Sequence, residues 1–430
     1  MRVVIVGAGK LGCGYLVPLF LGAGREVLLG CRTPDTAHRI RSAGGWRVRV
    51  TGEPPEEVHG VATAAVGTTE LDEAVAAADL VVLCVGVANA AGAAPHLVSG
   101  LAARRGRPVD VWVVENAECA PWVGEALVDT ASARGVQLPP VGVAGAVAGV
   151  TVGRGSWHEA GVPEFVGDGA RRLVVDARPL RLAPPALPGV QTTGQYRARL
   201  REKLFVHNAG HALAAYLGWL RGHRTIDTAI GDPFVRPIVA GALLEARRAI
   251  LAAYPGLLQG RSMDHGSDVH GPVADALARY GNTELSDPVT RVAREPLRKL
   301  APGDRLLGPV ALLRRTSHRV PAHFALGIAA ALLYGYGDEV VPTADASARR
   351  LRRLLDERGV FAVLTSVCGL AADDPFAAAV AARYHGFVFT DDGVRFPPAA
   401  PATGLEAPLP RALSDRGDDW RERLPGQVVR

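Results

Sequence analysis

A strand that runs straight into glycines at fixed spacing leaves a chain few folds to adopt. Val3-Val4-Ile5-Val6 is followed at once by Gly7-Ala8-Gly9-Lys10-Leu11-Gly12, a Gly-x-Gly-x-x-Gly turn that opens a helix. Gly7 permits the tight turn, Gly9 lets a pyrophosphate approach the backbone, and Gly12 lets helix and strand pack closely. The N–H groups at the helix start then face the phosphates. Among 50 glycines the motif alone says little, but directly after a buried strand it predicts dinucleotide binding. Gly7, Gly9, Lys10, Leu11 and Gly12 are the expected cofactor contacts.

The rest of the first third agrees. Arg2 to Val6, Glu26 to Leu29, Leu80 to Val85 and Val109 to Val114 read as buried parallel strands between Ala-rich helical stretches. Glu164 to Val166 and Arg172 to Val175 read as further strands of the same domain. Such alternation is α/β and predicts a Rossmann-type, doubly wound sheet over residues 1–190. Pro184, Pro185 and Pro188 mark its end. Leu200 to Leu220, Val235 to Ala253 and Ala322 to Tyr334 then show helical spacing, so 195–395 reads as a mostly α-helical substrate domain. Residues 396–430 are Pro/Ala-rich and then charged, the composition of a loosely attached tail.

The end of the second strand selects the cofactor. NAD binders usually carry an acid there for the ribose hydroxyls. Here the strand ends Leu29-Gly30-Cys31-Arg32-Thr33, with Cys31 at the expected acidic position. Arg32 and Thr33 suit a 2′-phosphate, which favours NADP(H) while leaving NAD(H) possible. The plainer alternative for Arg32 is an ordinary surface arginine. Val85, Gly86 and Glu115, at the ends of the next two strands, are assigned to the same cofactor site.

A formal charge of +5 is spread along the chain, without basic runs interleaved with aromatics, which argues against a nucleic-acid partner. Five scattered cysteines without a Cys-x-x-Cys pair point to a reducing compartment. Glycines interrupt the apolar start, and no apolar run is long enough for a membrane span. The expectation is a cytoplasmic protein without a membrane partner, monomer or homodimer.

Only three lysines, Lys10, Lys203 and Lys299, stand against 45 arginines. Arginine stays protonated in proteins, whereas lysine can give up its proton, as a general base must. On an ideal helix Lys203, His207, His211 and Asn208 fall at about 0°, 40°, 80° and 140°, within one arc. Oxidation of a secondary alcohol needs a base for the hydroxyl proton and donors for the developing alkoxide. Lys203 suits the first if burial and nearby positive charge lower its pKa from about 10.4 toward 7–8. Asn208 suits the second, and His211 can orient substrate or lysine. Two alternatives stand beside this: zinc on His207 and His211, which lacks a third ligand, and a polar helix face turned to solvent.

Lys203-x4-Asn208-x2-His211 resembles the catalytic signature of the polyol-specific long-chain dehydrogenase/reductase family. The surrounding text is similar to its mannitol-1-phosphate 5-dehydrogenase branch: Lys203-Leu204-Phe205, Gly210-His211-Ala212, Ala215-Tyr216-Leu217-Gly218, Gly222-His223 with Thr225-Ile226, Pro296-Leu297-Arg298-Lys299-Leu300 with Gly303-Asp304-Arg305-Leu306, and Gly327-Ile328-Ala329-Ala330-Ala331. The resemblance covers roughly residues 1–375 and is strongest across 200–335. It implies that Lys203 is the general acid/base, that Asn208 and Asn116 form the oxyanion hole, that His211 sits beside the substrate, and that no metal takes part. Arg294, Arg298, Lys299 and Arg305 are expected to hold a substrate phosphate, since arginine forks bind it bidentately; the alternative is a solvated basic helix end.

Two departures from the family bear on function. Its acid after the second strand is Cys31 here. Its Val-Asp-Arg-Ile stretch is Ala146-Val147-Ala148-Gly149-Val150, without either charge, which should change which sugar fits. Three readings follow. The first is interconversion of a ketose phosphate and a polyol phosphate, of the mannitol 1-phosphate/fructose 6-phosphate type. The second is reduction of a modified sugar or cyclitol phosphate in a specialised biosynthetic route. The third is a non-catalytic, NADP-sensing protein.

Overall fold

The computed structural model describes residues 1–157, 161–258, 271–317, 320–338, 341, 344–390 and 393–396. Nearly all of the expected tail, from residue 397 onward, lies outside them.

The N-terminal unit is built on strands β1 (Arg2–Val6), β2 (Glu26–Cys31), β3 (Gly45–Val50), β4 (Glu56–His59), β5 (Ala62–Ala65), β6 (Leu80–Leu83), β7 (Val109–Val114), β8 (Val141–Ala148), β9 (Val152–Arg154), β10 (Glu164–Gly167), β11 (Leu173–Asp176) and β12 (Val190–Thr193). Eight of them form one sheet in the order β12-β11-β8-β7-β6-β1-β2-β5. From β5 through β8 all neighbours are parallel, whereas β11 runs antiparallel to β8. Chain order reverses between β1 and β6, and the crevice at their C-terminal ends is where such sheets take ligands.

Successive side chains alternate between the two faces. Val3, Ile5, Leu80, Val82 and Trp112 enter one core; Val4, Val6, Val81, Leu83 and Val111 enter the other. With both faces covered, the central strands read as unbroken apolar runs, which is why they are legible in the sequence. Two features at the margin go beyond what the sequence announces. The strand at Glu164–Gly167 forms, but it joins β3 in a separate four-stranded sheet ordered β4-β3-β10-β9. Its short apolar run announces a strand without naming a partner far earlier in the chain. The main sheet also continues past the prolines to Thr193, because β12 is a half-exposed edge strand with no apolar rhythm to read.

In the C-terminal unit, helices Ala209–Leu220, Val235–Ala253, Leu307–Thr316, Ala322–Leu332 and Pro375–Gly386 share one apolar core. Ala209–Leu220 is its central member, with every residue buried except His211 and Trp219. Its polar residues therefore do not mark a solvent face. The α-helix expected over Leu200 to Leu220 is instead three pieces: α-helical Tyr196–Glu202, π-helical Lys203–Asn208 and α-helical Ala209–Leu220. A second π turn, Gly12–Leu16, follows the glycine motif. Such turns recur at functional sites. Among the described residues no helix is long and apolar enough to cross a membrane.

Candidate active site

The glycine turn has the shape a dinucleotide requires. Gly7 has φ 132°, and a Cβ there would lie 2.4 Å from the Cys84 carbonyl oxygen. On Gly12 it would lie 1.9 Å from the oxygen of Gly7, whereas Gly9 has nothing within 4 Å. Two glycines thus close the turn, and the third leaves an opening against the backbone. The groove beyond it, of about 600 Å³, is lined by Gly7, Gly9, Lys10, Arg32, Val85 and Asn89 among others. Lys10 donates to the Gly153 carbonyl at 2.5 Å, tying the turn to β9, and Leu11 packs half-buried against the core.

The three residues expected to read the ribose divide. Cys31 points into the core, where burial pushes its thiol up to about 11, so it cannot meet a ligand. β2 alternates sides, and Cys31 shares the inward side with Leu29. Thr33 caps helix Pro34–Ala43, its hydroxyl accepting from the Thr36 N–H at 3.2 Å. Arg32 is exposed and lines the groove. Val85, Gly86 and Glu115 form one unit: the Gly86 N–H donates to Glu115 Oε1 at 2.6 Å, joining the ends of β6 and β7. Burial pushes the Glu115 carboxyl up to about 7.

Asn116 follows directly after that anchored glutamate. Lys203 donates from Nζ to Asn116 Oδ1 at 2.7 Å, across the junction of the two units. Burial and then the Arg279 and Arg305 charges pull the Lys203 amine down to about 7. Because Asn116 accepts through oxygen, its Nδ2 remains to donate elsewhere. The segment Lys203–Asn208 is a π turn. The Ala209 N–H reaches back five residues to the Leu204 carbonyl, so residues five apart come toward one side. Asn208 closes this π turn, which begins at Lys203. The wider turn also displaces the His207 carbonyl, which accepts from the Tyr280 hydroxyl at 2.5 Å.

Both histidines have protein partners. His207 Nε2 lies 3.3 Å from Thr151 Oγ1, and burial holds its imidazole well below the usual range. His211 Nε2 lies 3.4 Å from Asp287 Oδ2, and its ring stacks on Tyr280 with 3° between the planes. Asp287 is buried and is held through both oxygens by Arg291. Burial pulls His211 down against the opposing pull of Asp287, which makes the neutral ring a donor to that carboxylate. Among the described residues no three His, Cys, Asp or Glu side chains gather as a metal-holding group.

The four cations expected to hold a phosphate lie near one another, and three of them have protein partners of their own. Lys299 is buried and its amine donates to the Arg294 carbonyl. Arg298 pairs with Glu295 and Asp304, and Arg305 with Asp304 at 2.7 Å. Two carboxylates within the same stretch, Glu295 and Asp304, pair with Arg298 and Arg305. Of the four, Arg305 is the one whose charge bears on Lys203.

The cleft beside Lys203, about 290 Å³, is lined instead by Arg172, Arg199 and Arg279, with Glu202 and His207. Sequence reasoning missed these arginines, along with Tyr280 and Asp287. Asp287 and Arg291 stood at the i,i+4 spacing of an ion pair, a usable signal; three arginines among 45 offered none. Where the resemblance places an acid, Ala148 faces the core, while Val147 and Gly149 line the cleft.

With this geometry in place, comparison with known proteins is direct. The family described as mannitol dehydrogenase C-terminal domain matches residues 196–387. Mannitol-1-phosphate 5-dehydrogenase of Geobacillus thermodenitrificans (strain NG80-2) is 32% identical over 401 residues, spanning 89% of this chain and 98% of the relative. Pseudomonas fluorescens mannitol 2-dehydrogenase, solved as a ternary complex with NAD and D-mannitol, superposes with TM-score 0.68 at 15% identity, covering 90% of this chain and 91% of that one. A substrate-free D-sorbitol dehydrogenase gives TM-score 0.59 at 15% identity, covering 84% and 94%. The two structures speak to the fold: a Rossmann-like sheet followed by a helical domain. On the sequence relative, the chain belongs to the mannitol dehydrogenase family of polyol dehydrogenases.

Proposed function

We propose that the protein interconverts a ketose phosphate and a polyol phosphate, prefers NADP(H) to NAD(H), and uses Lys203 as general acid/base without a metal. The observation that carries this is the Lys203–Asn116 contact: an amine brought down to about 7 sits at the C-terminal edge of the dinucleotide sheet. In the oxidising direction the neutral amine takes the hydroxyl proton. The Nδ2 groups of Asn116 and Asn208 donate to the oxygen as negative charge grows on it. In the reducing direction the protonated amine returns that proton. His211, held by Asp287, presents a fixed ring beside the reacting carbon. The nicotinamide, when bound, supplies or accepts the hydride.

The phosphorylated substrate rests on the Geobacillus relative, a mannitol-1-phosphate 5-dehydrogenase, and on the arginines lining the cleft. The cofactor preference rests on Arg32 in the groove, with no acid at Cys31. A modified sugar or cyclitol phosphate is the second reading, favoured by Ala148 and by the apolar Val147 facing the cleft.

Initial rates at 340 nm with fructose 6-phosphate, comparing NADPH with NADH, test both points. Faster oxidation of NADPH supports the first reading and the role of Arg32. No rate with either cofactor, despite NADPH binding, removes it in favour of the second. Activity that vanishes after chelation and returns with a divalent ion would remove the metal-free acid/base role.

A further inference from the structure

We infer that Tyr280 is a positioning residue for His211: its tethered ring holds the imidazole in one plane beside the reacting carbon. The inference rests on the reading above, in which His211 sits beside the substrate, and it names what fixes that histidine.

Two kinds of contact define where an imidazole points. Asp287 takes its edge, with Oδ2 3.4 Å from His211 Nε2. By itself such a contact leaves the ring free to tilt about the line joining the two atoms. Tyr280 takes its face: the ring centroids are 5.3 Å apart and the planes differ by 3°. Tilting the imidazole would break this parallel, offset stack, a geometry that aromatic pairs prefer. Edge and face together leave the histidine one orientation.

Tyr280 is itself fixed. It is 4% exposed, and its hydroxyl donates at 2.5 Å to the carbonyl of His207, within the π turn Lys203–Asn208. The His211 N–H bears on the same hydroxyl, and burial pushes the phenol up, so it stays a donor. Gly210 makes the approach possible, since a Cβ there would lie 2.8 Å from the hydroxyl oxygen. A side chain at that position would displace the tyrosine.

One short stretch of chain carries both partners of the histidine. Tyr280 ends helix Gly271–Tyr280, and Asp287 follows in the connection after it. That stretch is pinned to the N-terminal unit. Arg279 donates to Asp168 and to the Gly149 carbonyl, and Asn282 Nδ2 donates to Thr51 Oγ1 at 2.7 Å. The plane of His211 is thereby set from the unit that carries the glycine turn, as Lys203 is held to that unit through Asn116.

The test uses Y280L and Y280F in the full chain, each alone and combined with H211A. Y280L removes the stack, whereas Y280F keeps the ring and cuts its tether. With fructose 6-phosphate and NADPH, kcat should fall about tenfold or more in Y280L and about threefold in Y280F, because small misplacements at a reacting centre are costly. KM for NADPH should stay within about twofold of wild type, since neither variant touches the groove. Added to H211A, Y280L should cost less than about twofold further, because residues that act through one another are not additive. Equal losses with and without the histidine would mean a merely structural role and overturn the inference. So would wild-type kcat in both single variants.

Imidazole NMR reads the same contact without turnover. Asp287, Arg291 and Arg279 bear on His211, the His207 ring lies 6.1 Å away, and burial holds His211 below the usual imidazole range. With the stack loosened, water reaches the ring and its protonation midpoint should rise toward that range, further in Y280L than in Y280F. A midpoint unmoved in both variants overturns the inference. If wild type oxidises NADPH with no sugar or cyclitol phosphate, the dehydrogenase reading fails by itself, and the midpoint alone decides whether Tyr280 sets the ring.

Discussion

The Lys203 amine and the Asn116 side-chain oxygen meet at 2.7 Å although they belong to different units of the fold. Asn116 leaves the end of β7 beside the anchored Glu115, and Lys203 opens a π turn in the helical unit. On the proposed function, the base is aimed by the sheet that carries the glycine turn. On the same proposal, Asn208 and His211 from the same helical stretch supply the second amide and the histidine.

Removing that amine should be the most damaging change in the cleft. A positioned general acid/base contributes about 10²–10⁴-fold, so Lys203→Ala should lose that much in kcat while circular dichroism and NADPH binding stay normal. Near-normal turnover in a folded Lys203→Ala variant would sink the assignment. It would also favour a sensing role over catalysis.

The pH profile follows from the direction of the shift. Lys203 is lowered from 10.5 to about 7, so the neutral amine prevails above that value. kcat/KM for polyol oxidation should rise with pH up to about 7 and then level. Ketone reduction, which needs the protonated form, should fall above the same point. A single break near 10 in both directions would show that burial and Arg279 do not act on this amine.

Asp287 links the site to stability. Burial pushes its carboxyl up, but hydrogen bonds from His211 and Arg291 outweigh it, and the net shift is downward. A depressed carboxyl stabilises the fold above its unfolded pKa of about 4 and loses that contribution as pH falls through the folded value. Asp287→Asn should cost about 1–3 kcal/mol in urea denaturation at pH 7, less than a fully buried pair because Arg291 is partly exposed. The deficit should shrink toward pH 3. An equal deficit at both pH values would show that the charge is irrelevant.

The three motif glycines should separate fold from cofactor. Gly9→Ala has open space, so its melting temperature should match wild type while NADPH binding weakens at least tenfold. Gly12→Ala meets the Gly7 oxygen and should lose stability by about 1–3 kcal/mol as well as binding. Thermal melts with and without NADPH distinguish the two, and equal melting curves would contradict the close packing at Gly12.

Arg32→Ala addresses cofactor choice. It should lower the NADPH-to-NADH ratio of kcat/KM about tenfold or more, the loss expected for a charged hydrogen bond. An unchanged ratio would place 2′-phosphate recognition elsewhere in the groove.

What could be read from the sequence was what repeats locally. β1 and β7 have the expected bounds because strands buried on both faces are apolar throughout, and Val235–Ala253 shows its helical spacing residue by residue. Lys203, Asn208 and His211 could be proposed from the sequence because they share a short interval. What was not legible depends on pairing at a distance. The sheet that β10 joins, the inward side of Cys31, and the carboxylates that pair with Arg298 and Arg305 are decided by contacts rather than by spacing. The arginines of the cleft were hidden by their own abundance.

The π turn at Lys203–Asn208 makes the residue count of this interval part of the site's specification. Delete one residue between the two, and the helix can run as α throughout, swinging everything on one side of the cut by about 100° around its axis. Every functional side chain would still be present in such a chain, and a comparison scored by residue identity would rate it intact. The lysine would nevertheless turn away from Asn116. Substitutions test the chemistry of this cleft; a one-residue shortening tests its frame.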